Sequence, residues 1–152
     1  MDKKKAIVLD IDGVILNTTF LFEEIFNLKL KGAAMWDYFH EHCNSDRVKL
    51  IPGFLPFYNL LITRSYSDTD LILLTSRNEK VREGTEEKLR EEGIYYDKIF
   101  MRPDNDYREA STLKKETLHE LQKEYNIVLF VDDDLKNCEA AKELGIYTMR
   151  KV

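Results

Sequence analysis

Apolar and polar positions along the chain fall into two alternating kinds of segment. Short apolar runs stand at residues 6–9, 71–74 and 127–131, with weaker ones at 98–101 and 146–149. Runs this short, rich in branched aliphatics and without polar alternation, predict strands buried on both faces. Longer segments with helical spacing lie between them. Residues 20–30 predict a helix stopped by Gly32, residues 35–42 a second short one, and residues 54–63 a third, opened by Pro52 and Gly53. Residues 79–92 carry Val81, Thr85 and Leu89 at spacing four and stop at Gly93. A helix capped by Ser111 or Thr112 runs to about Tyr125 with Leu113, Leu118 and Leu121 inward, and residues 135–144 stop at Gly145. Strands alternating with such helices predict the α/β class: a doubly wound, Rossmann-like parallel sheet with helices on both faces. The stretch 17–50 is longer than a connection and shorter than a domain. It predicts a small helical insert after the first strand, either a lid over that strand's end or a helical pair packed at the sheet edge or in a dimer contact.

Composition narrows the setting. A chain of 152 residues with 43% hydrophobic residues predicts a single domain, 1–152, with a sizeable core. The net charge of −5 argues against a broad basic footprint for nucleic acid and leaves room for a small basic site. Cys43 and Cys138 lie far apart with no C-x-x-C spacing and predict reduced thiols in a cytoplasmic protein. The basic start M-D-K-K-K is followed by no apolar stretch long enough for a signal peptide or a membrane span, so no membrane partner is expected.

The chemistry-bearing residues gather at strand ends, where open α/β sheets place their ligands. Asp10 closes the first run, Asp12 follows two residues on, and Gly13 permits a sharp turn after the pair. The second run ends on Thr75-Ser76-Arg77-Asn78, a hydroxyl followed by a helix start, which suits phosphate; Asn78 equally suits a helix cap. Arg82 reads as a solvated charge. Arg102-Pro103-Asp104-Asn105-Asp106 forms a turn-rich loop. Lys114 and Lys115 lie near a helix start, where a cation opposes the helix dipole, so one of them is expected to be held for an anion. The last long run ends on Asp132-Asp133-Asp134, whose mutual repulsion a hard cation such as Mg²⁺ would relieve. Asn137 is placed either to cap its helix or to orient an acid. His40 and His42, two apart on a helix, point to different faces and are expected as solvated surface residues, not a metal pair. A nucleophile, a second acid, a hydroxyl, a cation and a metal site meeting at one sheet edge suit phosphoryl transfer.

The order of these pieces, D-I-D-G-V, then a hydroxyl closing L-L-T, then Lys, then D-D, resembles the haloacid dehalogenase superfamily of phosphohydrolases across nearly the whole chain. The runs T-S-R-N-E-K, M-R-P-D-N-D-Y-R, L-K-K-E and V-D-D-D-L-K-N, with W-D-Y-F, are similar to the 3′-phosphatase half of phage-type polynucleotide kinase-phosphatases. The resemblance implies a phosphomonoesterase in which Asp10 becomes an aspartyl phosphate, Asp12 acts as general acid and base, Thr75 holds a phosphate oxygen and Lys115 neutralises the transferring group. It implies Mg²⁺ held by Asp10, the Asp12 carbonyl, Asp132 and Asp133. Ser76, Arg77, Gly13, Lys114 and Arg102 are the implied substrate contacts. The implied partner is a phosphorylated small molecule or a nucleic-acid end. The chain departs from the pattern in three ways: it has no G-x-x-x-x-G-K-[ST] run and so no expected kinase half, no arginine between Gly13 and Asp46, and a third acid in Asp134. A general nucleotide or sugar phosphatase is therefore the alternative. From another class, a receiver-like or catalytically silent phosphate-binding module is the rival, although a receiver places its acids in the opposite order.

Overall fold

The computed structural model describes residues 2–64 and 68–152. A five-stranded parallel sheet runs through the molecule, built from β1 (Lys4–Leu9), β4 (Thr69–Asn78), β5 (Lys98–Arg102), β6 (Tyr125–Asp132) and β7 (Thr148–Arg150) in the order β5-β4-β1-β6-β7. The first strand is therefore central, and Asp10 leaves the middle of the sheet's carboxyl edge. Helices α3 (Phe54–Arg64) and α4 (Arg82–Glu91) cover one face; α5 (Ala110–Leu121) and α6 (Leu135–Glu143) cover the other.

Side-chain alternation along β1 divides the core. Ile7 and Leu9 pack with Phe54, Tyr58 and Leu89 on one side, while Ala6 and Val8 pack with Leu118, Leu121 and Ala141 on the other. Each fully buried aliphatic or aromatic side chain of this kind contributes about 1.5–3 kcal/mol. Both cysteines are free and buried. Among the described residues no helix is long and apolar enough to cross a membrane.

Several boundaries differ from the sequence expectation. Strand β4 continues four residues past Leu74, because Asn78 pairs with Arg102 beyond a register shift. The following helix opens as a single 3₁₀ turn, Glu79–Val81, capped by Asn78, whose Oδ1 accepts from the Lys80 amide at 2.9 Å. Helix α5 begins at Ala110, with neither Ser111 nor Thr112 as cap, and ends before Tyr125, which instead pairs with Lys4 as the first residue of β6.

The stretch after β1 folds as two helices, α1 (Thr19–Asn27) and α2 (Gly32–His42). Two short strands, β2 (Leu16–Asn17) and β3 (Lys49–Leu50), pair antiparallel at its base, Leu16 opposite Leu50 and Asn17 opposite Lys49. Leu21, Ile25, Phe39 and Cys43 give it a small apolar core of its own.

Candidate active site

At the end of β1 the Asp10 amide donates to the Val131 carbonyl at 3.0 Å, which fixes the two acid-bearing strand ends side by side. The chain then coils once: the amides of Val14, Ile15 and Leu16 all turn back to the Ile11 carbonyl. Gly13 has φ +84, and a Cβ on it would lie 2.1 Å from an Asp133 carboxylate oxygen. Glycine is thus required twice, for the turn and for the close approach of Asp133.

Lys114 Nζ lies between two buried carboxylates, donating to Asp10 Oδ1 at 2.9 Å and to Asp132 Oδ2 at 2.7 Å. Burial pushes the Asp10 carboxyl well above the ordinary carboxylate range; Lys114 opposes this, and Asp132 and Asp12 add to it. Burial pulls Lys114 down, but the two facing carboxylates outweigh it and raise the ammonium above its usual value. Oxygens of Asp10, Asp132 and Asp133 come within 4.8 Å of one another. Three hard oxygen donors in a largely enclosed, mutually repelling cluster, with Gly13 leaving room for the third, suit Mg²⁺. The acids after β6 divide their work. Asp132 accepts from Asn137 Nδ2 and from the Asp134 amide, Asp133 faces the cleft, and Asp134 caps α6 by accepting from the Asn137 amide at 3.1 Å.

Asp12 is gripped from behind. Arg77 Nε donates to its Oδ2 at 2.9 Å and Nη2 to its Oδ1 at 2.7 Å, a two-point geometry that fixes the carboxylate's direction. The Thr18 hydroxyl adds a bond to Oδ1 at 3.2 Å. The Arg77 side chain is fully buried and also donates to Asn44 Oδ1, Thr85 Oγ and the Cys43 carbonyl. Burial works against its charge and Asp12 outweighs that, so the guanidinium stays ionised.

The structure brings Asp10, Asp12, Gly13, Ser76, Arg77, Lys114 and Asp133 together around one cleft of about 280 Å³. Thr75 is buried beneath it, its Oγ accepting from the Arg77 amide at 3.1 Å. Two expectations are corrected. Lys115 is half-exposed and paired with Glu143, whereas Lys114 is the lysine among the acids. Lys114 stands four and seven residues before Leu118 and Leu121 and so shares their helix face, and its neighbour is turned outward. Arg102 is spent on the backbone carbonyls of Ser76, Asp106 and Arg108 and holds the loop after β5 instead of facing the cleft. Arg82 pairs with Glu79 and Glu86.

A lid over the end of the first strand was one of the alternatives for residues 17–50, but sequence reasoning did not single out the residues of that insert that line the cleft as its roof, Thr18, Phe22, Trp36, Phe39 and His40. The histidines are not freely solvated. His42 packs on Tyr38 with ring centroids 4.3 Å apart, and His40 is half-buried beside Trp36. Burial, with the charges of Lys80 and Arg77, holds His40 below its ordinary value. The aromatic cluster W-D-Y-F was the visible signal; Asn44 and Thr85, which anchor Arg77, carried none.

A family model described as HAD superfamily, subfamily IIIB (acid phosphatase), matches residues 1–150. No curated protein sequence matches the chain. Among solved structures, a chain of the Pnkp1/Rnl/Hen1 RNA repair complex is 25% identical with a TM-score of 0.74, over 97% of this chain and 42% of that one, so this chain spans less than half its length. A class C acid phosphatase from Bacillus anthracis with tungstate bound is similar at 18% identity and a TM-score of 0.68, over 97% of this chain and 68% of that one. A hydrolase of the haloacid dehalogenase-like family from Streptococcus pneumoniae is similar at 12% identity and a TM-score of 0.65, over 95% of this chain and 83% of that one. At these last two identities the likeness is one of fold.

Proposed function

The chain belongs to the haloacid dehalogenase superfamily, subfamily IIIB, and is a phosphatase of that type, and from this premise we propose that it is a Mg²⁺-dependent phosphomonoesterase that works through Asp10 and removes 3′-phosphates from nucleic-acid ends or nucleotides. The observation that carries the reading is the pairing of two differently held acids on one cleft: Asp10 buried against Lys114, and Asp12 clamped by Arg77.

In the first step an Asp10 carboxylate oxygen attacks phosphorus, the bond from phosphorus to the leaving oxygen breaks, and Asp12 gives that oxygen a proton. In the second, Asp12, now a carboxylate, takes a proton from water as the water oxygen attacks phosphorus. The bond to Asp10 breaks, inorganic phosphate leaves and both acids return to their starting state. Lys114 faces the phosphoryl oxygens with its charge, and Thr75, whose oxygen accepts from Arg77, keeps its own proton to donate. Asp10, the Asp12 carbonyl, Asp132 and Asp133 would hold Mg²⁺, which when bound supplies charge neutralisation at the phosphoryl oxygens. Asn137 keeps Asp132 pointed at that site. Gly13 and Ser76 line the cleft, where they would contact the phosphate. The nucleic-acid end is supported by the likeness to a chain of an RNA repair complex. A general small-molecule phosphatase is the second reading, favoured by the net charge of −5.

The test is phosphate release with Mg²⁺ from a 3′-phosphorylated oligonucleotide, a 3′-nucleotide, a 5′-nucleotide and p-nitrophenyl phosphate, with Asp10→Asn as control. Asp10-dependent release that favours 3′-phosphates is the expected result. Equal or better turnover of small esters moves the assignment to the general phosphatase. No Asp10-dependent release from any of them, or labelling that stops at one phosphate per chain, overturns the hydrolase reading.

A further inference from the structure

Strand β4 leaves its regular ladder where its site residues begin. Leu74 pairs with Phe100 and Asn78 with Arg102, so three residues of β4, 75–77, stand opposite one residue of β5, Met101. A surplus of this kind bends the strand and re-aims its side chains, here Thr75, Ser76 and Arg77. It also takes backbone groups out of regular pairing, and such groups need other partners. Arg102 serves one of them: its Nε donates to the Ser76 carbonyl at 3.3 Å.

The same guanidinium reaches the connection that leads into α5. Its Nη1 donates to the carbonyls of Asp106 at 3.0 Å and Arg108 at 2.6 Å. Arg108 is tied onward. Its side chain grips the Asp106 carboxylate through Nε at 3.1 Å and Nη2 at 2.9 Å, and Nη1 donates to Glu116, two residues past Lys114 on α5. Lys80 and Asp104 make another polar link between these segments, but at 3.7 Å and exposed on both sides it holds little. Among the described residues Arg102 is therefore the main polar tie between the turn that carries Thr75 and Ser76 and the helix that carries Lys114. A lysine does not copy it, because one ammonium on a flexible stem lacks the fixed fork that meets three carbonyls at once.

We propose that Arg102 is a positioning residue: it sets the spacing between the 75–77 turn and the helix that carries Lys114, so that the Thr75 hydroxyl and the Lys114 ammonium meet one phosphoryl group. The inference rests on the phosphatase reading above and adds a residue that touches no substrate. Thr75 and Lys114 come from opposite sides of Asp10, and each reaches the cleft on its own element. A bridge between those elements keeps the two contacts in step when a phosphate binds.

The test compares Arg102→Ala and Arg102→Lys with the parent, using p-nitrophenyl phosphate and a 3′-nucleotide with Mg²⁺. Both variants are expected to lose about 10–100-fold in kcat, the usual cost of a small misplacement. Tyr125→Phe, which gives up a bond to Asp70 at the opposite edge of the sheet, is the control: its melting temperature falls and its kcat holds. Combined with Lys114→Met, Arg102→Ala is expected to add less than its own loss, because part of its effect passes through that lysine. Amide hydrogen exchange is expected to quicken in Arg102→Ala at both 75–78 and 104–110. An unchanged kcat, a kcat restored in Arg102→Lys, an equal loss in Tyr125→Phe, losses that multiply fully with Lys114→Met, or faster exchange confined to 104–110 overturns the proposal. If the parent turns over esters in an Asp10-dependent way while any of these is seen, the phosphatase reading stands alone. If no ester is turned over, that reading has failed, and the exchange data still decide whether Arg102 joins the two segments.

Discussion

At the scale of single residues, the cluster of Asp10, Lys114 and Asp132 balances opposed effects. Two buried carboxylates are costly without a cation, and one ammonium shared between them offsets that cost incompletely, which is why Asp10 remains pushed up. Lys114→Met leaves both acids unpaired, so urea unfolding should show a loss of about 3–5 kcal/mol, and phosphate release should fall by at least about 100-fold. Lys115→Met, which removes only a surface pair with Glu143, should leave both within error of the parent. Gly13→Ala should fold with a lower melting temperature and lose turnover by more than about ten-fold, because the added methyl displaces Asp133 and the backbone is held at positive φ; a variant with full activity contradicts that account. The positions of Asp10, Asp12 and Asp132 were legible in the sequence, since a carboxylate closing an apolar run is a local signal. The choice of lysine was legible too: Lys114 stands four and seven residues before Leu118 and Leu121, so the helical period alone puts it on their inward face, and the family-like spacing that favoured Lys115 overrode that signal.

Elements reveal a second layer that local patterns hide. Arg77 is the point where β4, α4, the end of α2 and the acid turn after β1 meet, through Thr85, Cys43, Asn44 and Asp12. In the sequence it is one basic residue after a strand, and the resemblance implied a substrate contact. Its partners lie 33, 8 and 65 residues away for Asn44, Thr85 and Asp12, so no spacing rule exposes them. Arg77→Lys keeps the charge but loses the fork, and it cannot reach all four partners. We expect a lower thermal midpoint and a kcat reduced by about 10–100-fold, since Asp12 is no longer aimed; an unchanged kcat would show that Asp12 is positioned by the turn alone. The extension of β4 through Asn78 was hidden for a similar reason, because its pairing with Arg102 is long-range and follows an irregularity in the ladder. The alternating order of strands and helices was readable throughout, because each segment's length and apolar pattern already separates the two.

For the whole molecule, the two edges of the sheet serve different ends. The carboxyl edge holds like charges together for chemistry. The amino edge holds opposite charges: Lys4 pairs with Asp70 at 2.7 Å, and the Tyr125 hydroxyl donates to the same carboxylate at 2.7 Å. Burial pushes Asp70 up, but these two partners outweigh it and its folded pKa lies below the ordinary value. A depressed carboxylate stabilises the fold above its unfolded pKa, and that contribution is lost as pH falls through the folded value. Thermal midpoints measured from pH 6 down to pH 2.5 should therefore fall more steeply in the parent than in Asp70→Asn, with the two curves converging at the acid end. Parallel curves would mean that the Lys4–Asp70–Tyr125 link carries no acid sensitivity.

The paired strands β2 and β3 have a consequence for how such a protein diversifies. The chain leaves the core at Asn17 and returns at Lys49, and these two residues face each other across one ladder. A loop whose ends already touch can be lengthened, shortened or exchanged without moving anything beneath it. The bonds from Arg77 to Cys43 and Asn44, and from Thr18 to Asp12, together with Phe20 packed on the main core, Val81 packed on the insert and Phe39 beside the Arg77 guanidinium, set the limits of that freedom. Residues 19–42 therefore form an exchangeable cassette, whereas the few residues on either side of it are inherited with the chemistry. A lineage carrying this neck acquires new substrates by replacing the roof and retains its reaction by leaving the paired strands and the residues bonded to Arg77 and Asp12 alone.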